Sequence, residues 1–408
     1  MENKISEYAK LLVRKGVNVQ KGQTLVIGCP VDCAAFARLA AAEAYDAGAR
    51  EVVMLWNDDR LERMKFLRAD NTVFDEMPSW LKTFFYEYAD KKAARLAIVS
   101  GDPENLKGVD PDKLRRNTVT RGKELKRYQE MQMRNEFPWC VAAVPTPAWA
   151  CKVFPDSGPD EAVAKLWDAI LNAVRVNGDG RAVKRWEEHS ANSEKRAKIL
   201  NEYNFAKLIY KNSLGTDLSV ELPEKHCWVG GGEEARTGAY FIANMPTEEI
   251  FTLPKKTGIN GSICSSMPLS HDGNLIKDIR FTVKDGKIIE ADATAGRETL
   301  LKKLDVDEGA RYFGEVALVP HASPISDMGI LFYNTLFDEN ASCHFAFGRA
   351  YPAFADAKTA THEELVSRGM NESFVHVDFM VGTSDLSITG ITRDGKEVPV
   401  FVEGNFAF

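Results

Sequence analysis

The residues best suited to chemistry lie in one short stretch near the carboxyl terminus, FVHVDFM at 374–380. Polar and apolar residues alternate there, so a β-strand would project His376 and Asp378 from one face and apolar side chains from the other. An imidazole beside a carboxylate offers two ligands to a borderline cation such as zinc or cobalt. The same pattern also fits a strand edge with two solvated polar residues, so the pair alone does not distinguish a metal site from an ordinary strand edge.

Three more stretches place acids or a histidine beside apolar, strand-like runs. Glu248 and Glu249 directly precede a β-prone run, which is an unusual place for two charges unless something binds them. Glu315 stands at the start of a continuous apolar strand, and His344 lies inside an alternating apolar run. Each has an ordinary alternative, namely a strand-end glutamate facing water or a hydrogen-bonded core histidine.

Together these stretches predict a metal site with more ligands than one tetrahedral ion can use. Three carboxylates and two imidazoles suit a pair of ions about 3.5–4 Å apart that share a bridging carboxylate. Such a pair lowers the pKa of a bridging water, so that hydroxide is available near neutral pH to attack a carbonyl. The predicted ligands are Glu249, Glu315, His344, His376 and Asp378.

The sequence pattern of the amino-terminal half is typical of an α/β domain. Apolar strand-like runs at 24–28, 51–56, 94–101 and 139–145 alternate with helical stretches at 34–48 and 111–135, and an amphipathic helix is predicted at 2–15. We therefore expect an open, mostly parallel sheet in a domain at 1–190. The sequence at 28–30, GCP, lacks the repeated glycines of a dinucleotide site, and no phosphate-binding loop motif occurs. This half is expected to act as a scaffold and substrate entrance.

In the carboxyl-terminal half the predicted secondary structure changes from mainly helical to rich in strands. The glycines of GDG at 178–180 interrupt a helical region, and short strands with turn signals follow, including the hairpin signal Asp285-Gly286. We expect an α+β domain at 191–408 with largely antiparallel strands. All five predicted ligands fall in it, on or beside the rigid strands that a metal site needs.

Composition and charge describe a globular protein that does not primarily bind nucleic acid. The formal net charge of −7 argues against nucleic acid or an anionic membrane as the main partner. No apolar run reaches about 18 residues, and no apolar segment follows a basic patch at the start, so a cytoplasmic location is expected. The seven cysteines have no close-paired metal spacing and are expected to be reduced.

At the same residues the chain resembles a known family, the M29 metallo-aminopeptidases, also called the thermophilic aminopeptidase family. The likeness covers essentially the whole chain and is dense in NMPTEE at 244–249, GEV at 314–316, the block 324–344 and HVDFM at 376–380. The resemblance implies two domains and a dinuclear zinc or cobalt site in the second. It also implies a homodimer whose active sites face an enclosed cavity, and release of N-terminal amino acids from peptides.

The family's functional residues carry over one by one. Its metal ligands fall on Glu249, Glu315, His344, His376 and Asp378. Its active-site tyrosine falls on Tyr351, which without the resemblance would be interpreted as a packing residue before Pro352. Glu248 remains a candidate for binding the substrate's α-amine. We expect Glu315 to bridge the ions, with Asp378 as the second candidate, and Tyr351 to donate a hydrogen bond to the oxyanion.

The sequence therefore predicts a metal-dependent aminopeptidase that hydrolyses peptides with a free N-terminus by metal-activated hydroxide attack. Two other classes stay open. Another dinuclear metal-dependent amidohydrolase would need the same ions and would differ in its substrates. A metal-free peptide-binding protein would contain no stoichiometric metal.

Overall fold

The structure is a computed structural model that describes all residues from Met1 to Phe408. By internal packing the chain forms two compact units. The first unit comprises Met1–Ala191, Gly231–Thr247 and Met328–Leu336, and the second comprises Asn192–Gly230, Glu248–Asp327 and Phe337–Phe408. The division into domains at 1–190 and 191–408 stays a prediction, because these units report packing and not independent folding.

Twelve α-helices occur along the chain. They are α1 Glu2–Leu11, α2 Ala34–Asp46, α3 Asp59–Arg68, α4 Ser79–Asp90, α5 Pro111–Glu124, α6 Lys126–Met133, α7 Pro147–Val153, α8 Pro159–Ala173, α9 Ala182–Tyr203, α10 Arg297–Leu304, α11 Thr335–Asp338 and α12 His362–Ser367. Helices α5, α7 and α8 begin with proline, whose fixed φ suits the first helical position. The break predicted at 178–180 separates α8 from α9, and both of its glycines have positive φ.

The strands are numbered in chain order. They are β1 Thr24–Pro30, β2 Glu51–Asn57, β3 Ala94–Ile98, β4 Trp139–Ala142, β5 Lys207–Lys211, β6 Asp217–Glu221, β7 Val229–Gly230, β8 Glu233–Glu234, β9 Tyr240–Phe241, β10 Asn244–Met245, β11 Ile250–Thr252, β12 Ile259–Cys264, β13 Leu269–His271, β14 Asn274–Ile276, β15 Arg280–Lys284, β16 Lys287–Asp292, β17 Phe313–Leu318, β18 His344–Gly348, β19 His376–Met380, β20 Ser387–Ile391, β21 Glu397–Val402 and β22 Asn405–Phe406.

The first unit contains the predicted open parallel sheet. Its strand order is β10-β4-β3-β1-β2, and every pairing in it is parallel. The central strands β1 and β3 are apolar and mostly buried, as expected where helices cover both faces of a parallel sheet. The prediction of an α/β fold for this half is confirmed. The small fifth strand, β10, comes from much later in the chain.

Besides the two-stranded sheet β13–β14, the second unit contains two larger antiparallel sheets, which confirms the predicted α+β fold. One has eight strands in the order β16-β15-β12-β6-β5-β20-β21-β22, and the other has five in the order β19-β18-β17-β11-β7. The predicted Asp285-Gly286 turn connects β15 to β16, and both residues have the positive φ that a two-residue hairpin of type I′ requires.

An aromatic cluster joins the two antiparallel sheets. Phe281 on β15 makes edge-to-face contacts with Phe313, Phe347 and Phe379 of the five-stranded sheet, with ring centroids 5.3–6.3 Å apart. All four rings are buried. Each such pair contributes about 0.5–1.5 kcal/mol beyond the area that it buries. One face of the five-stranded sheet is therefore fixed against a rigid core.

Two structural observations bear on the other expectations from composition. None of the helices combines the length and the apolar content that crossing a lipid bilayer requires. All seven cysteines are free thiols.

Gly348, at the end of β18, is needed for the close packing of the five-stranded sheet. Its φ is +103°, and an added Cβ would lie 2.2 Å from the carbonyl oxygen of Val375. Gly215 has the same φ of +103°, but a Cβ there would meet only Cys264 Sγ at an ordinary 3.7 Å. The two glycines therefore share a backbone conformation and differ in steric surroundings.

We expect Gly348→Ala to lower the free energy of unfolding more than Gly215→Ala does. Both substitutions impose the backbone strain of a positive φ, about 1–3 kcal/mol, but only Gly348→Ala also forces a side chain against the β19 side of the sheet. Urea unfolding monitored by far-UV circular dichroism measures both losses. Equal losses in the two variants would show that backbone strain alone accounts for the effect.

Candidate metal centre

The five predicted ligands lie along one face of the five-stranded sheet. Glu315 on β17, His344 on β18, and His376 and Asp378 on β19 occupy adjacent strands, and Glu249 directly precedes β11. In the register, Glu315 pairs with Ala346, which pairs with Asp378, so these three residues form a row across the sheet. Because side chains alternate along strands, His344 and His376 share this face.

Small residues keep the remaining space on this face open. Ala346 lies between Glu315 and Asp378, Ala317 pairs with His344, and Gly348 pairs with His376. The opposite face carries buried apolar side chains that belong to the core: Val316, Phe345, Phe347, Val377 and Phe379. The alternation predicted for 374–380 therefore holds, with ligand candidates on one side and core residues on the other.

A bulge at Gly314 lets β17 direct Phe313 and Val316 into the core and Glu315 toward the other ligand candidates. The register between β17 and β18 shifts between Phe313 and Glu315, so Phe313 and Val316 both pack in the core while Glu315 faces the other way. A Cβ at Gly314 would lie 2.3 Å from the carbonyl oxygen of Arg349, so only glycine fits at this position.

The side-chain atoms converge in two groups that share Glu315. In the first group, His344 Nε2 lies 3.1 Å from Glu249 Oε2 and 3.4 Å from Glu315 Oε1. In the second, His376 Nε2 lies 3.3 Å from Asp378 Oδ1 and 3.7 Å from Glu315 Oε2. Within each group the ligand atoms all lie within 4.8 Å of one another. The two oxygens of Glu315 thus face different groups.

Backbone carbonyls fix both imidazoles in the tautomer that a metal ligand needs. His344 Nδ1 lies 3.0 Å from the carbonyl oxygen of Ser342, and His376 Nδ1 lies 2.7 Å from that of Arg349. A carbonyl oxygen can only accept a hydrogen bond, so each Nδ1 carries the proton. When the ring is neutral, Nε2 then presents a lone pair to the carboxylates.

The electrostatics of the cluster are dominated by buried negative charge. Burial raises the pKa of Glu315, and repulsion by Glu249 and Asp378 adds to this, while the two histidines oppose it. Burial alone would lower the pKa of His376, but attraction by Asp378 and Glu315 outweighs it and raises the pKa to about 10. Burial alone would also lower the pKa of His344, but its interactions with Glu249 and Glu315 raise that pKa well above its usual value. The site therefore attracts cations strongly.

The cluster fits divalent metal ions. His344 Nε2 and Asp378 Oδ1 are buried and form no hydrogen bond with acceptable geometry, although oppositely charged atoms lie within 3.1–3.4 Å. Atoms that converge on a common point without bonding one another are typical of ligands arranged around an ion. Imidazole nitrogen with carboxylate oxygen is a donor set that zinc and cobalt accept.

The structure also places Tyr351 and Glu248 beside the cluster. The Tyr351 ring lies edge-to-face against His376, with centroids 5.5 Å apart, and contacts Phe251 at 5.9 Å. Glu248 is buried, with 8% of its surface exposed, and its backbone N–H donates to Asn340 Oδ1 over 2.7 Å. The catalytic role of Tyr351 and the substrate-binding role of Glu248 stay predictions.

Two further residues near the cluster were not predicted from the sequence. Glu339 is buried, and burial together with repulsion by Asp378, Glu249 and Glu315 raises its pKa well above the usual value. His271, in the β13–β14 hairpin, has a lowered pKa through burial, and Asp378 is among the charges that act on it. Glu339 lies inside the block at 324–344 that carried the resemblance, but no periodic pattern marked it out.

Comparison with known proteins agrees with the geometry. The family model described as thermophilic metalloprotease (M29) matches residues 1–406. Aminopeptidase AmpS of Bacillus subtilis (strain 168) is 44% identical over 406 residues, covering 99% of this chain and 98% of that protein. Aminopeptidase 2 of Geobacillus stearothermophilus is 43% identical over 408 residues, covering 100% and 98%. The solved structure of wild-type AmpT from Thermus thermophilus matches with a TM-score of 0.91 at 35% identity, covering 100% of both chains.

Proposed function

The chain belongs to the thermophilic metalloprotease family M29, and from this membership we propose that it is a dinuclear metal-dependent aminopeptidase that releases N-terminal amino acids from peptides. The observation that best supports two ions is the sharing of Glu315 between two ligand groups. Each group is completed by one histidine and one further carboxylate, Glu249 in the first and Asp378 in the second. Glu315 is the residue that we propose as the bridge.

In this proposal each ligand has a defined part. Glu249 and His344 would hold one ion, His376 and Asp378 would hold the other, and Glu315 would contribute to both. The mixed nitrogen and oxygen donors favour zinc or cobalt. Two such ions, when bound, lower the pKa of a water molecule and polarise the carbonyl of the scissile bond.

The chain's own residues position the peptide and stabilise the transition state. We assign to Glu248 the binding of the substrate's α-ammonium group, because it is buried and immediately precedes the ligand candidate Glu249 in the chain. We assign to Tyr351 a hydrogen bond from its hydroxyl to the oxyanion that develops on the scissile carbonyl. A phenol with a pKa near ~10 stays protonated at neutral pH and can therefore donate.

Two further parts of the proposal concern assembly and location. A homodimer is supported by an exposed apolar stripe on α3, where Leu61, Met64 and Leu67 keep 62%, 43% and 49% of their surface exposed. Light scattering of the purified protein tests this assembly. A cytoplasmic location is supported by the seven free thiols, since cytosolic proteins keep cysteine reduced.

The requirement for a free amino terminus tests the exopeptidase function directly. We expect a peptide with a free N-terminus to be cleaved at least about 30-fold faster than its N-acetylated form. Acetylation removes the positive charge of the α-amine, so Glu248 loses its binding partner. Mass spectrometry of the products over time measures both rates. The free peptide should lose one residue at a time from its N-terminus.

The variant Glu248→Gln serves as the control for this assignment. It should slow cleavage of the free peptide and reduce the preference over the acetylated form, since the amide carries no charge. Dominant internal cleavage, or trimming of acetylated peptides from the C-terminus, would contradict the aminopeptidase function.

A further inference from the structure

A cavity of about 450 Å³ lies over one face of the parallel sheet in the first unit. Its floor includes Gly28 on β1, Leu55 on β2 and Ala97 on β3, which stand side by side in the parallel register. Two of these three residues have no side chain beyond a methyl group, so part of the sheet face is not filled by packing. Its size falls within the range of small-molecule sites, roughly 300–1,000 Å³. We call this space the arginine cavity.

The arginine cavity occupies a position where open α/β sheets commonly bind ligands. Strand β2 lies on one side of β1 and β3 lies on the other, so the winding of the chain reverses between β1 and β3. Pro30 and Asn57, the last residues of β1 and β2, line the cavity together with the residues that follow β3. Ligands bind recurrently outside the carboxyl ends of strands at such a reversal.

Two arginines line this cavity and neither forms an ion pair with a carboxylate. The guanidinium carbon of Arg95, on β3, lies 5.0 Å from the ring centroid of Phe85 and 5.7 Å from that of Tyr128. Arg121, on α5, lines the cavity although the residue as a whole is exposed to solvent. Desolvation of its guanidinium lowers its pKa, attraction by Glu62 raises it, and repulsion by Arg95 lowers it. Two like charges close enough to repel each other form a site that an anion would stabilise.

The guanidinium of Arg95 is directed across the sheet toward β1. An added Cβ at Gly28 would lie 3.9 Å from Arg95 Nη2, so the glycine leaves the surface beside the guanidinium open. The two aromatic contacts hold the Arg95 side chain in place by cation–π attraction. Arg95 is thus fixed before any ligand arrives, which reduces the entropy lost on binding.

The lack of a glycine-rich phosphate-binding turn favours a carboxylate over a phosphate. Phosphate sites in α/β sheets use backbone N–H groups of a glycine-rich turn after the first strand. Here β1 ends in Pro30, which has no N–H, and the donors are the guanidinium forks of Arg95 and Arg121. A guanidinium binds a carboxylate or a phosphate through two parallel hydrogen bonds, so the preference for a carboxylate depends on the missing glycine-rich turn and on the charges around the cavity.

Acidic residues beside the cavity restrict the charge of the ligand. Asp59 Oδ2 lies 2.8 Å from the position of a Cβ added at the cavity residue Gly101, and it accepts a hydrogen bond from the backbone N–H of Asp102. Burial raises the pKa of Asp59, the hydrogen bonds from Asp102 and Asn57 lower it, and repulsion by Asp102 and Asp32 raises it. These acids would repel a multiply charged anion more than a single carboxylate.

We propose that the arginine cavity binds a small organic monocarboxylate with an apolar tail. The carboxylate lies between Arg95 and Arg121, and the tail packs against Phe85 and Leu55. The residues that line the cavity belong to the first unit, whereas the ligands of the metal centre all belong to the second unit.

Isothermal titration of the full-length, metal-loaded protein with 4-methylpentanoate tests the proposal. We expect saturable binding of one molecule at the arginine cavity. The uncharged analogue 4-methylpentanamide and inorganic phosphate should each bind at least about tenfold more weakly, since one lacks the charge and the other the tail. A carboxylate can also bind a metal ion, so the titration is repeated with Asp378→Ala, where the arginine-cavity event should persist unchanged.

Variants of the cavity complete the test. Arg121→Gln should weaken 4-methylpentanoate binding at least about tenfold. Arg115→Gln is the matched control on the same helix, because Arg115 does not line the cavity and is paired with Asp112, and it should leave binding unchanged. Ala97→Leu should block binding by filling the floor while leaving both arginines in place. Thermal unfolding of each variant establishes that it is folded.

Several results would overturn the proposal. Binding that disappears in Asp378→Ala would place the carboxylate at the metal centre. Binding that is unchanged in both Arg121→Gln and Ala97→Leu would place it elsewhere, and phosphate binding as tight as that of 4-methylpentanoate would show a simple anion site. Peptidase activity measured on the same samples tests the proposed function independently, since neither cavity variant alters a metal ligand.

Discussion

Loss of metal and loss of peptidase activity are expected together in His376→Ala and in Asp378→Ala, while the parallel sheet of the first unit stays folded. Each substitution removes one ligand from the group that Glu315 completes, and a buried carboxylate cluster with fewer donors holds a cation less well. The loss of metal affinity should exceed the roughly 10–100-fold that follows when a partner of a ligand is removed. These variants have the largest expected effect on function.

Elemental analysis and an activity assay on the same preparations measure this result. The unmodified protein should carry close to two divalent ions per chain, because Glu315 belongs to two ligand groups and each group would bind one ion. Chelation should abolish its activity, and zinc or cobalt should restore it. His362→Ala is the matched control, because His362 lies in the same unit but pairs with Glu372 at an exposed site. Full metal occupancy and full activity in His376→Ala, or activity that survives exhaustive chelation, would place the chemistry elsewhere.

Tyr351→Phe is expected to retain both ions and to bind substrate about as well, yet to lose about 10²–10³ in kcat. The ring that contacts His376 and Phe251 is preserved in phenylalanine, so packing at the edge of the cluster should change little. Only the hydroxyl is removed. If that hydroxyl stabilises charge that develops in the transition state, its loss lowers kcat while KM stays nearly constant.

Tyr210→Phe provides the matched control for this prediction. Tyr210, on β5, packs edge-to-face against Phe345 on the core side of the five-stranded sheet. Its buried hydroxyl has no hydrogen-bond partner. Removing it should leave kcat unchanged and stability equal or higher. Steady-state kinetics on metal-replete samples of both variants separates the two cases. Near-normal kcat in Tyr351→Phe would assign that residue to packing and leave oxyanion stabilisation to other groups.

Several features could be predicted from the sequence because they depend on local patterns. The alternation at 374–380 assigns His376 and Asp378 to one face of a strand and the apolar residues to the other, and β19 has that arrangement. The alternation of strands and helices before residue 150 predicts the parallel sheet, and Asp285-Gly286 predicts the β15–β16 hairpin of the eight-stranded antiparallel sheet. These signals hold because side-chain period and turn conformation are set within a few residues.

Other features were decided only by contacts between distant parts of the chain. The bulge at Gly314 places Phe313 and Val316 on the core side together, which simple alternation does not predict. Asn244–Met245 joins the parallel sheet, whereas Ile250–Thr252, a few residues later, joins an antiparallel one. Both outcomes depend on which strand is available to pair, and that is settled by packing over the whole fold.

The position of Glu315 between the two ligand groups also depends on contacts between distant parts of the chain. The sequence offered Glu315 and Asp378 as alternative bridges, because spacing along the chain says nothing about which carboxylate lies between the two histidines. The strand order β19-β18-β17-β11 places Glu315 within reach of both ligand groups. The environments of Glu339 and of Arg121 likewise follow from residues far away in the chain. The sequence by itself thus determined the ligand types and the faces that carry them, whereas strand order and burial, which are non-local, decided how those ligands are grouped.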